Sequence, residues 1–225
     1  HEFRTPLAII DSVAVNLTEV PATDSADTAA RGEQLRRATR RLVRLVDNCL
    51  TDDRLDSAAF SLQLRSVSPA ALAREAAEIV KWSPHHCLVL ALDDLPDSIE
   101  CDPTLVRIAL SNLLDNAVKY AEGGTVVLSG EGDENHVRFS VADEGAGLDE
   151  GKVEALFERF TRGASKKTGA GLGLYVVRRI AQLHGGTVSA RNKPGGGALF
   201  EFMILQRQGG QRVCRSVRHF HMINF

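Results

Sequence analysis

Asn112, Asn116 and Lys119 recur at i, i+4 and i+7 of the segment DPTLVRIALSNLLDNAVKY, which begins at Asp102. On a helix this spacing lines them along one stripe, while Val106, Leu110, Leu113 and Ala117 hold another stripe that faces a core. Asn costs a helix interior roughly half a kcal/mol against Ala, so two of them aligned with a Lys need a reason. A merely solvated face would carry Glu and Lys there. The alternative uses the types present: two amide carbonyls that ligate Mg²⁺ beside an ammonium that meets phosphate.

Two glycine-bearing stretches follow. Val141-Ala142-Asp143-Glu144-Gly145-Ala146-Gly147 ends a strand-like run with the pattern D-x-G-x-G. So short a string is also what a turn with φ > 0 glycines looks like. Chemically, a carboxylate at a strand end can accept a hydrogen bond from the exocyclic amine of adenine. It repels the carbonyl that guanine presents at the same place. Thr168-Gly169-Ala170-Gly171-Leu172-Gly173-Leu174 opens a second helix, and glycines at a helix start expose N–H groups and the positive dipole end to a phosphate. The glycines fall as G-x-G-x-G. The dinucleotide fingerprint G-x-G-x-x-G is therefore not met, and no G-x-x-x-x-G-K-[ST] loop occurs. Between the two stretches, EGKVEALFERFTRGASKK offers Phe157 and Phe160 as latches and Arg162, Lys166 and Lys167 as positive charge. Either a phosphate-covering lid or a plain surface loop accounts for it.

The chain opens His1-Glu2-Phe3-Arg4-Thr5-Pro6-Leu7. With Thr at the fifth position, the zinc-protease pattern H-E-x-x-H fails. If Phe3 and Leu7 are seam positions, His1 and Thr5 face water one turn apart, and Pro6 kinks the helix by leaving the Glu2 carbonyl without its N–H. His85, His86 and His184 are the other histidines weighed as phosphate acceptors.

Elements that place these residues follow from periodicity. Phe3, Leu7, Ile10, Ala14 and Leu17 carry a 4-3-4-3 apolar spacing, and Leu35, Ala38, Leu42, Leu45 and Cys49 repeat the same alternation as 3-4-3-4. The turn-rich PATDSADT lies between them, with Asp24, Ser25 and Asp27 as caps. Two such helices form a hairpin that leaves an apolar stripe uncovered unless a second copy completes a four-helix bundle, so a homodimer through residues 1–60 is expected. From residue 61 on, strand-like runs (62–67, 88–92, 125–129, 137–141, 187–190, 198–205) alternate with helix-like stretches (69–82, 103–120, 171–184). Few gaps are long enough for a crossover, which predicts an α/β sandwich with a mixed sheet over residues 61–205 and not a doubly wound sheet.

Composition closes off other classes. The 225 residues are 44% hydrophobic and 25% charged, which are globular proportions. Against 29 acidic side chains stand 27 basic ones, so the formal charge of −2 gives no field that gathers nucleic acid. The four cysteines Cys49, Cys87, Cys101 and Cys214 match no zinc or C-x-x-C spacing, and read as buried hydrophobes of a reducing, cytoplasmic compartment. No apolar run approaches the ~20 residues of a membrane span. A chain that begins with His reads as part of something longer. Residues 206–225 hold four arginines and no acid, a basic tail foreign to the rest and read as disordered or extraneous.

In this order the pieces resemble a sensor histidine kinase of two-component signalling. HEFRTPL resembles the phosphoacceptor box and NLLDNAVKY the asparagine box; DEGAGL, FERF and GAGLGL resemble the first glycine, phenylalanine and second glycine boxes; LHGGTV and GGGALFEF resemble the closing strands, with Ala198 where the family usually has Thr. The resemblance spans residues 1–205 and implies a gyrase–chaperone-type domain that takes ATP and Mg²⁺. Its implied nucleotide residues are Asn112, Asn116, Lys119, Tyr120, Asp143, Gly145, Gly147, Arg162, Gly169, Gly171, Leu172, Gly173 and Leu174, with Asn116 and Asn112 on the metal. It also implies His1 as phosphoacceptor, Glu2 as base, Thr5 as holder of a phosphatase water, and a response regulator receiver domain as partner. Arg36, Arg37, Arg40, Arg41 and Arg44 would dock that partner or simply be a solvated face. In the complete protein the resemblance implies an anchor in the inner membrane. A non-signalling ATPase or serine kinase of the same nucleotide fold accounts for the Asn and Gly boxes, but leaves the hairpin and HEFRTPL unused.

Overall fold

Ser68 and Asp102 each precede a proline, and each starts a helix. Proline is pre-set for the first helical turn and needs no N–H partner there, while the residue before it accepts from the exposed amides. Ser68 Oγ accepts from the Ala71 N–H at 3.3 Å and begins α1 (Pro69–Ile79). Asp102 Oδ1 accepts from the N–H groups of Thr104 (3.1 Å) and Leu105 (3.2 Å) and begins α2 (Pro103–Tyr120). The computed structural model describes residues 60–133, 135–161 and 171–206, together with the helical positions Ala8, Ile10, Ser12, Arg31, Gly32 and Thr39. The pairing of the expected hairpin, the side chains of His1, Glu2 and Thr5, Arg162, Gly169 and the tail lie outside the described residues.

From residue 60 on, the remaining elements among the described residues are β1 (Arg65–Val67), β2 (His86–Asp94), β3 (Ile99–Cys101), β4 (Gly124–Gly132), β5 (His136–Ala142), α3 (Gly173–Leu183), β6 (Thr187–Asn192) and β7 (Ala198–Leu205), with two short 3₁₀ turns at Glu150–Lys152 and Glu154–Phe157. Five strands form one sheet in the order β2-β4-β5-β7-β6, and β1 pairs with β3 in a separate two-stranded ribbon. β2 runs parallel to β4 and every other neighbour is antiparallel, so the sheet is mixed, as its connections predict. The division by backbone contact gives two compact units, residues 61–150 with 177–225, and residues 1–60 with 151–176.

In the larger unit the inward face of the sheet reads Val126 and Leu128 on β4, Val137, Phe139 and Val141 on β5, and Phe200, Phe202 and Ile204 on β7, all buried. Phe139 and Phe202 are register partners with ring centroids 6.3 Å apart. Cutting either ring to Ala would cost about 3–5 kcal/mol. α2 lays Val106, Leu110, Leu113 and Ala117 into this core, each without exposed surface, and packs against α1, whose Ala73, Ala76 and Ala77 are buried. The stripe predicted to face inward does so. His184, just past α3, ties this layer together. Its Nδ1 lies 2.8 Å from the Ile180 carbonyl and its Nε2 accepts from the Asp102 N–H at 3.0 Å, an arrangement that requires the neutral ring protonated at Nδ1. Among the described residues no helix is long and apolar enough to cross a membrane.

Candidate functional site

Asp143 sits one residue past β5 and is 3% exposed. A buried carboxylate needs donors, and backbone supplies them: Oδ1 accepts from the N–H of Gly145 at 2.8 Å and of Ala198 at 3.2 Å. The Asp143 N–H donates to the Ala198 carbonyl at 2.9 Å, which extends the β5–β7 ladder by one rung. Among the described residues Oδ2 accepts no hydrogen bond, so one acceptor of a fixed carboxylate stays open. Gly145 brings the turn against the end of α2, for a methyl group there would lie 3.0 Å from the Tyr120 carbonyl oxygen and 3.2 Å from the Ala121 Cα. Glu144 reaches back to accept from the Thr125 N–H at 2.9 Å, tying the turn to the start of β4.

The hairpin between β6 and β7 completes the support. Asn192 accepts from the Leu148 N–H at 2.6 Å and donates to the Leu148 carbonyl at 3.0 Å, and Lys193 Nζ donates to the Asp143 carbonyl at 3.0 Å. Gly197, at φ +84°, lies so close to the Asp143 carbonyl oxygen that a Cβ would overlap it. Sequence reasoning missed Glu144, Asn192, Lys193 and Gly197. The one signal for the last three was the Asn-Lys-Pro-Gly-Gly-Gly turn, and nothing in local spacing links it to residue 143.

On α2 the Asn stripe is present as read. Asn112, Asn116, Lys119 and Tyr120 are all half-buried. The Asn116 amide makes no hydrogen bond among the described residues, while Lys119 Nζ donates to the Tyr120 hydroxyl at 2.9 Å and lies 4.5 Å from its ring centroid. The described residues gather no trio of His, Cys, Asp or Glu fit for a metal. The amide oxygens of Asn112 and Asn116 lie one turn apart on α2 and are of a type hard enough for Mg²⁺, but two are too few to hold it without phosphate and water oxygens.

In the smaller unit Phe157 is buried and Phe160 is 59% exposed at φ +61°, a rare backbone state for a bulky residue. The Phe160 N–H donates to the Gly171 carbonyl at 3.1 Å, and Gly171 itself has φ +66°. Arg159 stacks 5.3 Å from the Phe160 centroid and 6.0 Å from that of Tyr175. The two phenylalanines expected to act alike therefore differ, one a core anchor and one a surface ring. Leu172 is buried, and Gly173 and Leu174 open α3.

The other histidines that could accept phosphate, and the buried cysteine, divide by burial. His184 has both ring nitrogens engaged in the core, so it is a structural histidine. His86 lies with Nε2 3.1 Å from the Ala121 carbonyl, and His85 is exposed. Burial pushes the Cys101 thiol up to about 12, with the Asp102 carboxylate adding to the effect, which makes it unreactive.

Residues 101–208 match the family profile of histidine kinase-, DNA gyrase B- and HSP90-like ATPases. The sensor protein KdpD of Escherichia coli K12 is 31% identical over 92% of this chain, which spans 24% of that relative's length. Among solved structures, full-length ShkA in complex with AMPPNP superposes with a TM-score of 0.67 at 33% identity, over 92% of this chain and 45% of ShkA. The ATP binding domain of PrrB from Mycobacterium tuberculosis gives a TM-score of 0.51 at 33% identity, over 64% of this chain and 98% of that domain.

Proposed function

This chain belongs to the sensor histidine kinase family, and on that premise we propose that it binds ATP at the Asp143 turn and transfers the γ-phosphoryl group to His1. From there the group passes to an aspartate on a response regulator receiver domain. One observation carries the nucleotide reading: a buried carboxylate with Oδ1 committed to two amides and Oδ2 accepting nothing among the described residues, the arrangement an adenine amine needs. AMPPNP, the ligand of the related ShkA structure, belongs to the same ligand class.

Chemistry at His1 follows from the imidazole. Near neutrality much of it is the unprotonated nucleophile. One ring nitrogen bonds phosphorus as the bond to the ADP oxygen breaks, and ADP leaves with the electron pair. Glu2 takes the proton from the other ring nitrogen and stabilises the charge that develops there. Asn116 and Asn112 would hold Mg²⁺, which offsets the charge gathering on the leaving diphosphate. Lys119, Arg162 and the helix N-terminus at Gly171 assist, and Gly169, Leu172, Gly173 and Leu174 complete the nucleotide residues that the family resemblance implies. Thr5 orients the water that hydrolyses the regulator's aspartyl phosphate, since a hydroxyl both donates and accepts but cannot deprotonate near pH 7. The hairpin of residues 1–60 pairs with that of a second copy. The whole protein works at the cytoplasmic side of the inner membrane.

Incubation with radiolabelled ATP and Mg²⁺ tests this. An acid-labile, base-stable label that His1→Gln abolishes is the expected result. An acid-stable label, or ATP turnover with no labelled protein, would favour a serine kinase or a plain ATPase of the same fold.

A further inference from the structure

We propose that Asn192 and Lys193 are positioning residues that set ATP affinity and adenine selectivity by holding the Asp143 turn from both ends, an assignment that rests on the adenine reading of Asp143. Within the turn a single bond, Gly145 N–H to Asp143 Oδ1, orients the carboxylate. All the other support for residues 143 and 148 comes from the hairpin at 192–198. Asn192 uses its amide as a peptide group would, accepting from the Leu148 N–H at 2.6 Å and donating to the Leu148 carbonyl at 3.0 Å, a ladder rung made by a side chain. The same Nδ2 lies 3.4 Å from Glu150 Oε1. At the near end, Lys193 Nζ donates to the Asp143 carbonyl at 3.0 Å and makes no ion pair among the described residues. A charge-assisted bond from an unneutralised ammonium is the stronger kind.

Neither side chain takes a carboxylate oxygen of Asp143: backbone amides occupy Oδ1, and Oδ2 accepts no hydrogen bond among the described residues. Their effect on the nucleotide must pass through the orientation of the turn. Losing Asn192 releases the Leu148 end and losing Lys193 releases the Asp143 carbonyl, while the β5–β7 rung between Asp143 and Ala198 persists, so the turn loosens without the sheet opening. Looser support for a recognition group costs affinity because binding must then order it.

Calorimetric titration of the full chain with ATP and with GTP, alongside thermal melts, reads this out. Asn192→Ala and Lys193→Met should each weaken ATP by about three- to ten-fold and shrink the ATP-to-GTP ratio, with melting midpoints near the parent's. Lys193→Arg, which keeps charge and donors, should bind within about two-fold of the parent. Exchange of the Leu148 amide in nucleotide-free protein should quicken in Asn192→Ala. Parent-like ATP affinity and selectivity in both truncations overturns the assignment, as does affinity that falls only in step with the melting midpoint. A parent chain that binds no ATP overturns the adenine reading as well, and the Leu148 amide then decides separately whether the clamp exists.

Discussion

The turn after β5 and the turn before α3 both rely on glycine, yet different things hold them. Around Asp143 one bond is local, from Gly145, and most of the rest reach partners 44 to 55 residues away in sequence: Asn192, Lys193 and Ala198. Around Gly171 the described partner is the nearby Phe160, and both residues sit in the left-handed region. A group that must tell one base edge from another has to keep its acceptor in place before the ligand arrives, which demands support from outside the turn. A turn that offers amides to a phosphate needs only its N–H groups free and local geometry to aim them.

Substituting the glycine under each turn sharpens the contrast. Gly197→Ala puts a methyl group onto the Asp143 carbonyl at φ +84°. Left-handed strain and overpacking together cost on the order of 3 kcal/mol, so the melting midpoint should fall by about 6–12 °C and ATP binding with it. Gly171→Ala meets the Thr161 carbonyl oxygen and the Phe160 carbonyl carbon, at φ +66°. That contact belongs to a local pair, and a midpoint loss of about 2–6 °C is expected by calorimetry. Equal losses at the two sites would remove the distinction between them.

Cysteine titration makes a similar comparison within the larger unit. Cys101 is fully buried with its thiol near 12, whereas Cys87 is exposed. At pH 8 a maleimide should label Cys87 and spare Cys101 until the chain unfolds, as peptide mass mapping would record. Because the native thiol holds its proton above the ordinary value of 9.0, the stability it contributes is intact below pH 9 and drains as pH rises toward 12. Cys101→Ala should flatten that alkaline limb of a pH–stability curve. The smallest effect belongs to Asp133, exposed between β4 and β5, where the N–H groups of Asn135 and His136 lower its carboxyl pKa. Its contribution holds above the ordinary carboxylate range and fades as pH falls. Asp133→Ala should make acid unfolding slightly less steep.

Much of this molecule was legible where periodicity and caps act locally. α2 spans 103–120 as the Asp-Pro start and the apolar stripe predict, and β7 follows the strict alternation of ALFEFMIL. α1 stops at Ile79 short of the predicted 82, because Trp82 Nε1 donates to the Ala77 carbonyl at 2.9 Å and satisfies a group at the helix end with a side chain. β3 was not foreseen. Three residues carry no period, and its partner β1 lies far back in the chain, with Arg65 opposite Cys101. Asp143 itself was readable from D-x-G-x-G, but its supports were not, since each comes from a strand whose register only the folded sheet sets.

Direct comparison of ATP and GTP binding by the parent and by Asp143→Asn tests the central claim. The substitution keeps the shape and places a donor among oxygens that should face the adenine amine. Parent protein should bind ATP at least ten-fold more tightly than GTP, and Asp143→Asn should lose about 1–3 kcal/mol toward ATP together with that preference. Unchanged ATP affinity in the variant, or a parent that binds both nucleotides alike, would contradict the assignment of Asp143 as the group that reads adenine.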